Sequence, residues 1–478
     1  MLRETVLGWG MAVGGAADVL RPNTQQQLAQ IVDWARAQRR PLTVRGSGCS
    51  YGDAACGTTV VDVTGICRIV AFDAISGVIR GETGTTIAQI WQHTVAHGWW
   101  PPVVSGTMAP TLGGAAAMNI HGKNAAVAGP IGEHIRAIKV LFVDGSQREL
   151  TPADPLFFAV ISGFGQLAVI LEVELQLKKI HAARLQVWAT VARNLDELFT
   201  FFEHHATSSD YIVAWLDAFA SGAAQGRSLI HTAYHLHAGD ETDTATALQV
   251  RHQQLPLRLF GIIPKAWMWL ALKPFSNAWG MRVVNVARYW SGWLLARDKR
   301  YRQSHAAFHF LLDYVPNWKK VYSPGGLIQH QIFVPKQHAR QVFAQVLDLQ
   351  RQHGLVTWLA VVKRHRPDEF LLSHGLDGYS LAQDFAVTAS NRKALWQLCH
   401  AMDDIVAAAG GKVYFAKDAT VRAQTVAQMF GSQRLQQFAQ WRQQLDPDGI
   451  LRSALLERVL DDARSPSPTN LPPAANLV

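Results

Sequence analysis

Two short segments of this 478-residue chain bring together residue types whose spacing suits chemistry. The first is Arg45-Gly46-Ser47-Gly48-Cys49-Ser50-Tyr51-Gly52-Asp53. Its closely spaced glycines let successive backbone N–H groups face one anion without interference from a Cβ. Ser47 and Ser50 add hydroxyl donors. A pyrophosphate suits that arrangement, although a plain tight turn would use the same residues. The pattern is not the G-x-G-x-x-G of a Rossmann unit, because no long helix follows and the chain re-enters short strands.

The second segment runs Ser105-Gly106-Thr107, then Thr111-Leu112-Gly113-Gly114, then Asn119-Ile120-His121-Gly122-Lys123-Asn124. Small residues here would let a flat ring approach the backbone, with a hydroxyl, an amide, an imidazole and an ammonium close by. His121 alone would read as a hydrogen-bonded structural histidine. Its place in a glycine-flanked HGKN favours a functional role.

Around these segments the chain alternates short elements. Residues 24 to 39 show helical apolar spacing behind Thr24, a capping residue. PLTVRG reads as a strand entering the first glycine loop, and TTVVDVTG, CRIVAFDA and SGVIRGETG follow as β-rich runs. Asp144-Gly145 signals a hairpin, LAVILEVELQLKKI a strand, and 391–409 a helix stopped by Gly410-Gly411. The mixture is α+β rather than a regular βαβ array.

The formal charge of +9 is concentrated. Residues 251–302 hold ten Lys or Arg against Asp298 alone, together with Trp267, Trp269, Trp279, Trp290 and Trp293. Indole rings favour the wet boundary of a bilayer and basic side chains favour anionic head groups. The stretch is too charged to span, so it is expected to lie on a membrane surface; a buried interface with packed Trp is the alternative. No recognised nucleic-acid motif accompanies the charge. The first twenty residues carry Arg3, Glu4, Asp18 and several glycines, so no secretory signal is expected. Cys49, Cys56, Cys67 and Cys399 show no metal-like spacing, which fits a reducing cytoplasm and no metal.

In order, GWG at 8–10, RGSGCSYGD, GTMAPTLGGAAAMNIHGKN, AWLDA at 214–218, GLIQHQIFVP at 326–335 and YFAKDA at 414–419 resemble the decaprenylphosphoryl-β-D-ribose 2′-oxidase family. That family lies within the vanillyl-alcohol-oxidase (PCMH-type FAD) superfamily. The resemblance implies a two-domain fold with a discontinuous FAD-binding domain, 1–182 and 410–461. A substrate domain built on an antiparallel sheet, 183–409, would be inserted between, with a disordered tail at 462–478.

The resemblance further implies that Arg45, Gly46, Ser47, Gly48, Cys49, Ser50 and Tyr51 cradle the FAD pyrophosphate. Gly106, Thr107, Thr111, Gly113, Gly114, Asn119, His121, Gly122 and Asn124 would line the flavin, with Ile170 near the adenosine and Tyr414 also at the cofactor. Trp215, Gln329, Gln331 and Lys363 match substrate positions. Lys417 would stand at the ring beside the sugar, with His121 able to relay a proton, unless Lys417 forms a salt bridge to Asp418 or another acid. The implied reaction oxidises the ribose 2′-hydroxyl, with an NADH-dependent keto-reductase completing the epimerisation, at the inner face of the membrane.

Two departures stand out. Ala382 replaces a cysteine that many relatives carry near the flavin. Cys49 stands where wider-superfamily members place a flavin-bonded histidine, so the FAD is expected to be non-covalent. The competing readings are an alditol or aldonolactone oxidase using oxygen, and a non-catalytic protein binding at a membrane surface.

Overall fold

The computed structural model describes residues 2–241, 247–259 and 262–460. The tail expected at 462–478 lies outside the described residues, as do 260 and 261 of the basic stretch.

Helix Gln25–Ala37 starts where Thr24 accepts a hydrogen bond from the Gln27 amide, and it buries Leu28, Val32 and Ala35. Beneath it lies a four-stranded sheet in the order Leu2–Leu7, Gly14–Leu20, Thr59–Asp62, Thr43–Arg45. The last of these strands delivers the chain into the first glycine loop. A five-stranded antiparallel sheet follows: Ile69–Asp73, Val78–Glu82, Val169–Gln176, Ile135–Leu141, Gln147–Leu150. Its final pair is the hairpin expected at Asp144-Gly145, where Gly145 takes φ of 88°. One short helix was not legible: Leu112–Ala117, capped by Thr111, contains two glycines that disfavour helix.

From Arg184 onward a different sheet takes over. Eight strands run in the order Lys299–Ser304, Arg184–Ala192, Ser228–His235, Tyr211–Leu216, Leu359–His365, Gly378–Ala386, Leu327–Pro335, Lys412–Val413. Every neighbouring pair is antiparallel. Helices Leu195–His205, Lys336–Gln352 and Arg392–Ala408 pack on one face and bury Phe202, Phe343, Val346 and Leu398. The opposite face is left for the glycine loops.

The boundary expected at residue 410 falls short of the last strand, because Lys412 and Val413 still pair with Phe333 and Ile332. Beyond Val413 the chain returns to the first half. The Tyr51 amide donates to Ala416 O at 2.8 Å, and the Leu42 amide to Ile450 O at 2.6 Å.

The basic, Trp-rich stretch folds as helices Met268–Leu272 and Ala278–Leu295. Trp267, Trp279, Trp290, Leu294 and Leu295 are exposed, Trp279 by 74% and Leu295 by 75%. Trp269, by contrast, packs against the buried cluster of Met281, Val321 and Tyr322, so the packed-Trp alternative holds for that residue. Among the described residues no helix is long and apolar enough to cross a membrane.

Candidate active site

The N-terminal GWG, the first glycine loop and the AKD segment come together through backbone contacts. The Trp9 amide donates to Ser50 O at 2.7 Å. A Cβ on Gly52 would stand 1.8 Å from Asp418 O, so glycine is required for segment 416–418 to lie against the loop. Asp418 is engaged by Arg458 at 2.8 Å, which also bonds Asp53 at 2.8 Å. The alternative pairing of Lys417 with Asp418 is therefore not the arrangement seen. The Lys417 ammonium lies 3.7 Å from the centre of the Tyr51 ring.

Both glycine segments line one cavity of about 560 Å³, within the ~300–1,000 Å³ usual for small-molecule sites. None of the five consecutive amides from Gly46 to Ser50 donates to a protein acceptor among the described residues. A row of free N–H groups at a cavity wall is an anion cradle, and it fits a dinucleotide pyrophosphate. Gly46 packs so closely that a Cβ would sit 2.2 Å from Thr111 Oγ1. Gly106, Thr107, Thr111, Gly113, Gly114, His121, Asn124, Ile170 and Tyr414 line the same cavity.

Three expected cofactor residues are placed otherwise. Arg45 turns away from the cavity, its guanidinium donating to Leu7 O at 2.9 Å and Ala55 O at 3.2 Å. It braces the loop from behind, its guanidinium lying so close to Gly48 that a Cβ there would meet it. Asn119, at φ of 45°, accepts from the Gly132 amide at 2.9 Å and shapes the turn rather than lining the cavity. Gly122 likewise does not line it; its Cα faces Asn124 and the Val104 backbone.

The antiparallel sheet supplies the floor. Directly opposed residues share a face, and the register aligns Trp215, Val361, Ala382 and Gln331 in one row across four strands. A neighbouring row carries Leu359, Asp384 and Gln329. On the other side, His231, Val213 and His309 join the lining near Lys363. All four expected substrate residues, Trp215, Gln329, Gln331 and Lys363, thus face the cavity with Lys417.

The electrostatics follow from burial. Gln331 Nε2 lies 3.1 Å from His121 Nε2, and His121 is packed among Phe333, His365, His374 and Tyr414. Desolvation holds all three imidazoles well below the ordinary histidine range, His374 to about 3, so they are neutral at pH 7. Asp384 accepts from Gln329 Nε2, and burial raises its carboxyl. Burial lowers the Lys417 ammonium, while the Asp384 charge opposes that shift. Cys49 lines the cavity, and burial pushes its thiol up to about 11.

Residues 16–151 match the family described as FAD binding domain, and residues 327–459 match that described as D-arabinono-1,4-lactone oxidase. The decaprenylphosphoryl-beta-D-ribose oxidase of Mycolicibacterium smegmatis is 29% identical over 470 residues, 95% of this chain and 97% of the relative. The chain is an FAD-dependent oxidoreductase. It acts on a hydroxyl donor. The L-gulono-1,4-lactone dehydrogenase of Mycobacterium tuberculosis is 21% identical to this oxidoreductase over 459 residues, 94% of the chain and 97% of the relative.

Several residues of the oxidoreductase's cavity carried no local signal in the sequence. Asp384, His231, His309 and Arg288 line it. Asp384 and His231 come from separate strands of the sheet, His309 and Arg288 from helices His305–His309 and Ala278–Leu295, so no spacing rule could find them. Lys123, visible in HGKN, also lines the cavity and donates to the carbonyl oxygens of Phe308 and His309.

Proposed function

We propose that the protein oxidises the 2′-hydroxyl of a polyprenylphosphoryl-β-D-ribose to the 2′-ketone. FAD, when bound, supplies the hydride acceptor at N5. The observation that carries the reading is the convergence of Lys417 and the His121–Gln331 pair on a cavity whose far wall is apolar and opens to the surface at Leu311. A free sugar needs no such apolar exit; a prenyl chain does.

In this reading the residues divide the work. The free amides of Gly46 to Ser50 hold the pyrophosphate, and the small residues of the second segment seat the ring. Gln329 and Gln331 orient the sugar on the sheet floor, and Trp215 closes the side. The neutral His121 imidazole, paired with Gln331, takes the proton from the reacting hydroxyl. Lys417 stabilises the negative charge that develops on that oxygen. With cysteine rather than histidine at 49, and its thiol held protonated by burial, the FAD is non-covalent.

The exposed indoles and basic residues of 251–302 support docking on an anionic membrane at its inner face. There the lipid-borne substrate is available and a separate NADH-dependent keto-reductase can take the ketone, completing ribose-to-arabinose epimerisation for cell-envelope glycans. The match of residues 327–459 to the lactone-oxidase description favours a second reading, oxidation of an alditol or aldonolactone with oxygen. Anaerobic reduction of the bound flavin by a short-chain polyprenylphosphoryl ribose, set against xylitol and an aldonolactone, separates the two.

A further inference from the structure

On the Trp215 side of the cavity, donors gather and no acid faces them. The sheet register sets His231 opposite Val213, one strand from Lys363. Lys123 joins from the second glycine segment, where the Ile212 amide donates to Lys123 O at 2.9 Å. Arg288 reaches in from the exposed helix Ala278–Leu295, its guanidinium stacked 4.9 Å over Trp215. His309 is 2% exposed, and neither of its ring nitrogens has a hydrogen-bond partner. Among the cavity-lining residues the acid is Asp384, which lies on the other row beside Gln329.

Lys123 and Lys363 are half-buried, and cations drawn partly out of water without a counter-charge are costly unless a ligand supplies one. Burial lowers the ammonium of Lys123 to about 7 and of Lys363 to about 8, the mark of charge left uncompensated in the protein alone. Neutral His309, with both nitrogens unsatisfied, offers one more donor to an anion's oxygen.

We infer that Lys123, His231, Arg288, His309 and Lys363 form an anion subsite that holds the phosphoryl group of a lipid-linked substrate. The inference rests on the proposed polyprenylphosphoryl sugar. Lys417 stays free for the reacting oxygen. From Gln331 to Trp215 the floor spans three strand intervals, about 14 Å at the usual spacing, enough to place a pentose between the phosphate and Lys417. The same cavity is lined by the apolar Leu272, Leu311 and Leu312, and Leu311 is also exposed at the surface, which gives the hydrocarbon a way out.

Calorimetric titration of the FAD-loaded protein with farnesyl phosphate, farnesol and inorganic phosphate tests the assignment without turnover. Wild type binds farnesyl phosphate more tightly than either of the others. Arg288→Gln, on an exposed helix, and His231→Gln each weaken farnesyl phosphate on the order of tenfold, about 1.4 kcal/mol. Their FAD content and farnesol binding stay at the wild-type level. Unchanged farnesyl phosphate affinity in both variants overturns the subsite, as does farnesol binding to wild type as tightly as farnesyl phosphate. Inorganic phosphate matching farnesyl phosphate assigns the cluster to free phosphate and overturns the lipid-borne assignment. Loss of binding in the variants, together with no oxidation of polyprenylphosphoryl ribose by wild type, leaves the subsite standing and removes the proposed substrate.

Discussion

Gln331 Nε2 and His121 Nε2 lie 3.1 Å apart although the residues are 210 positions apart in sequence. This contact joins the second glycine segment to the floor of the antiparallel sheet. The half that carries the glycine loops and the eight-stranded sheet therefore meet at a polar pair that lines the same cavity as Lys417.

Replacing Lys417 with methionine keeps the apolar stem and removes the charge. The rate of flavin reduction in an anaerobic stopped-flow experiment falls on the order of 10²–10³-fold, the cost of losing one preorganised electrostatic stabiliser. FAD content is unchanged, because the amides of Gly46 to Ser50 are untouched.

Gly46→Val places side-chain carbon where a Cβ would stand 2.2 Å from Thr111 Oγ1. The loop must move and its amides lose their common focus. The variant is isolated colourless or with FAD affinity reduced on the order of tenfold or more. Circular dichroism of the variant stays close to that of wild type.

Acid precipitation releases the flavin into the supernatant. Cys49 lines the cavity, but burial pushes its thiol up to about 11, leaving little thiolate at neutral pH. Colour retained in the pellet would show a covalent link.

Stability declines as pH drops from about 6.5 towards 3. Burial lowers His374 to about 3, with His365 and His121 also far below their ordinary value of 6.5. Across that window the unfolded chain binds protons that the folded chain refuses, so stability is present above 6.5 and lost on acidification. His374→Phe flattens the dependence of melting temperature on pH in this range; an unchanged slope would contradict the assignment.

Sedimentation with vesicles depends on anionic lipid and weakens as salt rises. Trp279→Ala combined with Trp290→Ala weakens it further on the order of tenfold, because both indoles are exposed on the same helix. Binding indifferent to lipid charge and to both indoles would remove the membrane surface from the account.

What the sequence revealed was local. The glycine loop was legible because its chemistry depends on adjacent backbone groups, and the Asp144-Gly145 hairpin and the Thr24 cap because their geometry is set within a few residues. The sheet floor was not. Trp215, Val361, Ala382 and Gln331 come from four strands spread over more than a hundred positions, and only register makes them neighbours. Arg45 was misplaced for a related reason: the resemblance carried it into the cradle with its loop neighbours, but its guanidinium is taken by two carbonyl oxygens behind the loop. Nothing in the residues around Asp384 or His309 distinguishes them from core positions of a strand or a short helix.

The most direct test mixes the FAD-loaded protein, without oxygen, with a short-chain polyprenylphosphoryl ribose and follows the flavin's visible absorption. Bleaching by that substrate, with xylitol and aldonolactones inert, is the predicted result. Bleaching by xylitol or a lactone, with the lipid-linked ribose inert, would contradict it.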